Sequence, residues 1–172
     1  MIARPGTSSL FLEGAQAAAT WIRSTAQETT HGLIWLPDPD QPQRTATITP
    51  PATIYSGNAG IVLFFLELAQ ANGDDSYLAD ARRGADHIVA TWQEVLAAKP
   101  LIPLEHINLA FNMGLSGTAF VLATIWEITQ VPSYRVAALA ITEHIVQAAR
   151  PASDGGDGIE WTGAASAGLG DG

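Results

Sequence analysis

The sequence predicts an all-α fold of helical hairpins, an incomplete α/α toroid, and three observations carry that reading. First, displacing the chain by 57 residues without a gap lays Gly57 and Gly60 on Gly114 and Gly117, Ser76-Tyr77 on Ser133-Tyr134, and His87-Ile88-Val89 on His144-Ile145-Val146. With Ala81 on Ala138, eight of the 38 positions from Tyr55 to Trp92 match, and self-similarity at one fixed period is the mark of a repeat architecture. Second, the stretch after each Gly-x-x-Gly, GNAGIVLFFLELAQAN and GLSGTAFVLATIWEIT, is apolar nearly all round, as a helix buried on every side must be. Third, Tyr77, Ala81, Ala85, Ile88 and Trp92 recur at helical spacing with Asp80, Arg82, Arg83 and Asp86 between them, which is the pattern of an outer helix with one wet face.

The elements follow in order. Ser8 or Ser9 is suited to cap a first helix running to about Thr29, with Leu10, Ala17, Trp21 and Ile22 as its apolar face. Residues 30–54 hold Pro37, Pro39, Pro42, Pro50 and Pro51, too many for regular helix, and read as a strap across the helix ends anchored by Ile34, Trp35 and Leu36. Two units follow, at about 55–111 and 112–169, each an inner helix and then an outer one. Asn72-Gly73-Asp74-Asp75 supplies a glycine to end the first inner helix and aspartates to cap its successor, and Pro132-Ser133 stands in their place in the second unit. Glycine-rich sequence runs from Pro151, and Gly170-Asp171-Gly172 falls where a third inner-helix motif is due. Residues 1–172 therefore read as the N-terminal part of one longer toroid domain, because two units leave apolar faces that further units must cover.

Composition narrows the classes. The chain is 47% hydrophobic and only 15% charged, and its net charge of −9 repels phosphate backbones, so nucleic acid is a poor partner. There is no cysteine, which excludes disulfides, catalytic thiols and thiolate metal ligands within this stretch and fits a cytoplasmic protein. Glu13, Gln16 and Arg23 interrupt the N-terminal apolar residues, so no signal peptide is read. The longest apolar run, Ala59–Leu68, is half the ~20 residues a membrane helix needs.

Chemistry-bearing residues are few. Gly57, Gly60, Gly114 and Gly117 are first of all packing residues, although helix N-termini also offer free N–H groups to an anion. Tyr55 and Asn58 flank the first motif and are candidates to line a cavity and bind substrate. His87 and His144 hold equivalent places on outer helices and read as architectural, each packing or bonding between units; His31 and His106 read as loop histidines. Asp38 with Asp40, and Asp154 with Asp157, are loop pairs better explained as turn chemistry than as a catalytic dyad. Neither a phosphate-binding Gly-Lys-Ser/Thr motif nor a Gly-x-Ser-x-Gly elbow is present.

The string TIYSGNAGIVLFFLELAQANGDDSYLADARRGADHIVATW, preceded by GLIWLPD, resembles the opening repeat of lanthionine synthetase C-like proteins, and the resemblance runs from about Trp35 onward. It implies about seven such units closed into a double ring of helices, and a zinc ion held by two cysteines and a histidine of later repeats, beyond this chain. That zinc activates a thiol for addition to a dehydroamino acid, the substrate being a peptide or, in other relatives, glutathione. By the same resemblance Asp171, between glycines at the cavity mouth, is the candidate catalytic acid or base. Two alternatives stand beside it: a non-catalytic member that binds a peptide or small thiol, and a carbohydrate-active α/α toroid sharing only the repeat geometry.

Overall fold

The computed structural model describes residues 7–41, 52–97, 109–152 and 157–161, and among these the chain is mainly helical. Helix α1 spans Thr7–Ser24 and is followed by a small antiparallel hairpin, β1 (Gln27–Thr29) and β2 (Gly32–Ile34), with Glu28 opposite Leu33. Two helical hairpins come next: α2 (Asn58–Asn72) with α3 (Asp75–Ala97), and α4 (Leu115–Thr129) with α5 (Pro132–Gln147). A second two-stranded hairpin, β3 (Ala149–Pro151) and β4 (Ile159–Trp161), closes the described chain. No described helix is long and apolar enough to cross a membrane.

The two hairpins reproduce the expected division. In α2, Ala59, Val62, Phe65, Leu66 and Leu68 are buried, and in α4 Leu115, Ala119, Val121, Leu122 and Ile125 are. On α3 the buried residues are Tyr77, Ala81, Gly84, Ala85 and Ile88, while Arg82, Arg83 and Asp86 are exposed. Each outer helix is sewn to the one before it through its equivalent tyrosine. Arg23 of α1 lies 4.3 Å over the Tyr77 ring and bonds Asp80 at 2.5 Å, and the Tyr134 hydroxyl donates to Asp86 at 2.8 Å.

Helix ends follow the repeat as well. Gly73 ends α2 in the left-handed conformation, and Gln130, 57 residues later, ends α4 in the same conformation with φ 56°. Asp74 caps α3 by accepting the Ser76 N–H at 2.9 Å; Pro132 opens α5 with no side-chain cap. Gln130 has a side chain where its counterpart has none, and it is the one non-glycine residue with positive φ among the described residues. Because that conformation costs an L-residue about 1–2 kcal/mol, Gln130→Gly is expected to stabilise the chain by about 0.5–1 kcal/mol after the added entropy of glycine. A raised urea midpoint reads this out; a fall would mean that the Gln130 amide, which donates to Glu127 O at 3.0 Å, outweighs the strain.

Four expectations need correction. Helix α1 ends at Ser24 rather than near Thr29, because residues 27–29 pair as a strand. Its buried side is the expected one only at Ile22: Leu10, Ala17 and Trp21 are exposed, and Ala19 is buried with Leu12, Ala15 and Ile22 packed beside it. The expected cap at Ser8 or Ser9 falls inside the helix, since α1 begins at Thr7. The strap is anchored by Leu33 and Trp35, with Ile34 and Leu36 only half-buried.

Candidate functional site

The two inner helices begin at the same end of the molecule, and the loops that lead into them are bonded to each other. The Tyr55 N–H donates to Asn112 O at 2.9 Å, and the Thr118 hydroxyl of α4 reaches Ala52 O at 3.1 Å. Both helices start from an extended glycine, Gly57 and Gly114, with no side-chain cap. The second glycine of each motif explains how the loops come so close. A Cβ on Gly60 would lie 2.1 Å from Ile54 O, and one on Gly117 would lie 2.0 Å from Phe111 O. In each unit the carbonyl six residues upstream rests directly on the first turn of the helix, which only glycine permits.

Around the start of α2 this rim holds a cavity of about 200 Å³ with three walls: Trp21 and Ile22 of α1 with Thr25 just beyond its end, strap residues 35–37 and 39, and residues 54–57, 60 and 61. None of its described lining residues is charged. Tyr55 stands at the mouth, 75% exposed. Asn58 does not face the space: it is fully buried, and its amide imitates a neighbouring strand. Its Oδ1 accepts the Trp35 N–H at 2.8 Å and its Nδ2 donates to Leu33 O at 2.7 Å. Asn58 thus fixes the strap to the first residue of α2. Asp171 lies outside the described residues.

Trp35 joins all three walls. Its indole N–H donates to Ile22 O at 2.9 Å, its backbone is held by Asn58, and its ring lies 5.8 Å from Phe65 and against Gly84. Trp161, the last residue of β4, does the equivalent in the second strand pair, donating to Ile145 O at 2.6 Å. Ile22 and Ile145 are both third from the end of their helices, where carbonyls lose the regular helical partner; each takes the N–H three residues on, Thr25 or Ala148 at 3.2 Å, beside the indole. The signal for this was present but unread: Gly32-Leu33-Ile34-Trp35 and Gly158-Ile159-Glu160-Trp161 share glycine and tryptophan at the same spacing.

The histidines divide. His87 is half-buried with Nδ1 3.1 Å from the Thr29 hydroxyl, so it does bind the strand hairpin to α3. His144 is exposed and does not repeat that contact. His31 is exposed at the hairpin turn, and His106 lies outside the described residues. Burial, and secondly the nearby His31, push the His87 pKa below its ordinary 6.5. The unfolded chain therefore takes up the proton first, and stability present above pH 6.5 is lost as pH falls toward the folded-state value. The urea midpoint is expected to fall between neutral pH and about pH 5.5, and to fall less in His87→Gln. Equal slopes in the two proteins would remove His87 as the cause.

The loop pair Asp38 and Asp40 is turn chemistry, Asp38 accepting the N–H groups of Asp40 at 3.2 Å and Gln41 at 3.1 Å. Asp154, the partner of Asp157, lies outside the described residues. No three His, Cys, Asp or Glu side chains converge on a metal position among the described residues, and the sequence has no cysteine, so these residues do not fit a zinc site. A larger groove, about 450 Å³, runs between α4 and α5 along Phe120, Trp126 and Leu139. It is the side of the second unit that corresponds to the side of the first on which α4 and α5 pack.

The family described as lanthionine synthetase C-like protein matches residues 50–165, roughly two thirds of the chain. No curated protein matches it.

Proposed function

The chain belongs to the lanthionine synthetase C-like family, and on that premise we propose that its two units are wall and rim of an α/α toroid that adds a thiol to a dehydroamino acid. The observation that carries this reading is the pairing of the two inner-helix starts on one rim, through Tyr55 N–H to Asn112 O, beside a preformed cavity. The open α4–α5 groove supports the ring: it exposes Phe120 at 47% and Leu139 at 56%, and further hairpins of the same kind would cover it.

In such a reaction zinc makes a bound thiol nucleophilic at neutral pH. This chain lacks the cysteines for that ligation, so any such metal is held by residues outside it. The part left to these residues is binding and enclosure: Tyr55 contacts substrate at the mouth, and Asp171, by the family resemblance, acts as acid or base.

The test compares the 172-residue chain with the longest natural chain that carries it, for zinc content and for addition of a thiol to a dehydroalanine peptide. The longer chain is expected to bind one zinc and catalyse the addition, and the shorter to do neither. Stoichiometric zinc in residues 1–172 would sink the placement of the metal. A longer chain that binds no zinc and adds no thiol would leave a non-catalytic binding module as the reading.

A further inference from the structure

We propose that the cavity at the start of α2 binds an uncharged apolar side chain, aromatic or branched aliphatic, of a peptide lying across the rim. The inference rests on the reading of this rim as the substrate face and names the class of substrate it takes.

Four observations carry it. The space is about 200 Å³, below the ~300–1,000 Å³ that encloses a whole drug-sized ligand. It takes one side chain whose backbone stays outside. Its mouth is flanked by two large aromatics on different elements, Trp21 at 61% exposure and Tyr55 at 75%. Aromatic rings placed in this way give contact area at little entropic cost. The described lining carries hydroxyls at Thr25, Ser56 and Tyr55 and no charged side chain, so a carboxylate or ammonium entering it would lose its hydration without a partner among these residues. Finally, the walls are preorganised. Trp35 ties α1 to the strap and Asn58 ties the strap to α2, while Pro37 and Pro39 stiffen the stretch between.

The probe is N-acetyl-Ala-Phe-Ala-amide, titrated into the 172-residue chain and into the longest natural chain. The readout is the indole N–H resonance of Trp21, identified by its loss in Trp21→Phe. A saturable shift of the Trp21 signal with the Trp161 signal unmoved is expected, weakened about tenfold or more in Tyr55→Ala. The same peptide with aspartate in place of phenylalanine is expected to bind about tenfold or more weakly. No saturable shift, or an aspartate peptide bound as well, would overturn the proposal. So would toluene binding as tightly as the peptide, because the site would then serve a free apolar molecule. Helicity of Tyr55→Ala is checked by circular dichroism, and its exposed side chain makes unfolding an unsuitable explanation for lost binding. The readout needs no turnover, so peptide binding without thiol addition would refute the enzyme alone, and thiol addition without the shift would refute this inference alone.

Discussion

Trp35→Ala is expected to lower the free energy of unfolding by about 3–5 kcal/mol, read from urea denaturation followed by circular dichroism. The ring is 1% exposed, and it fills space that nothing nearby can recover. On one side lies Gly84, with no side chain to extend; a Cβ there would already stand 2.9 Å from the indole. Val62, which would stand 2.8 Å from the same Cβ, and Phe65, with its ring centroid 5.8 Å from the indole, are buried in the core. The carbonyl of Ile22 also loses the indole N–H, one of its three donors, and keeps the N–H and hydroxyl of Thr25. Trp35→Phe separates the two contributions, since it keeps most of the packing and removes only the indole N–H, for an expected loss of about 1–2 kcal/mol. If both variants melt with the wild type, the strap does not belong to the cooperative core and the cavity behind it is not preorganised.

What the sequence made legible was the part governed by period. The repeat of 57 residues located both inner helices and their wet-faced partners, because helical burial leaves a trace at every third or fourth residue. The face of α1 was read correctly only at Ile22 because the helix is apolar on more than one side: Leu10, Ala17 and Trp21 compete with Leu12, Ala15 and Ala19, and spacing alone does not rank them. The strand hairpins left no periodic trace, each strand being three residues long. Asn58 was singled out as a candidate to bind substrate, yet its partners are Leu33 and Trp35, more than twenty residues away. An amide that completes a strand pairing and one that greets a substrate have the same one-letter code.

The paired glycines give the sharper test, because two physical effects predict opposite signs. Alanine is the better helix former by about 1 kcal/mol, so in an exposed helix the change stabilises. Gly14 of α1 is such a site, with nothing within 4 Å of an added Cβ, and Gly14→Ala is expected to raise stability by about 0.5–1 kcal/mol. At Gly117 the same methyl group would sit 2.0 Å from Phe111 O and 2.7 Å from the Ile54 side chain, and at Gly60 it would sit 2.1 Å from Ile54 O. Carbonyl oxygens cannot rotate away as side chains do, so the incoming loop must lift from the helix. Gly60→Ala and Gly117→Ala are each expected to cost about 3 kcal/mol, at the upper end of overpacking. The lifted loop carries Tyr55, so Gly60→Ala is also expected to weaken the Phe peptide by about tenfold or more. A variant that gained stability like Gly14→Ala would show that the loop does not rest on the helix, and the rim would lose the contact that shapes it.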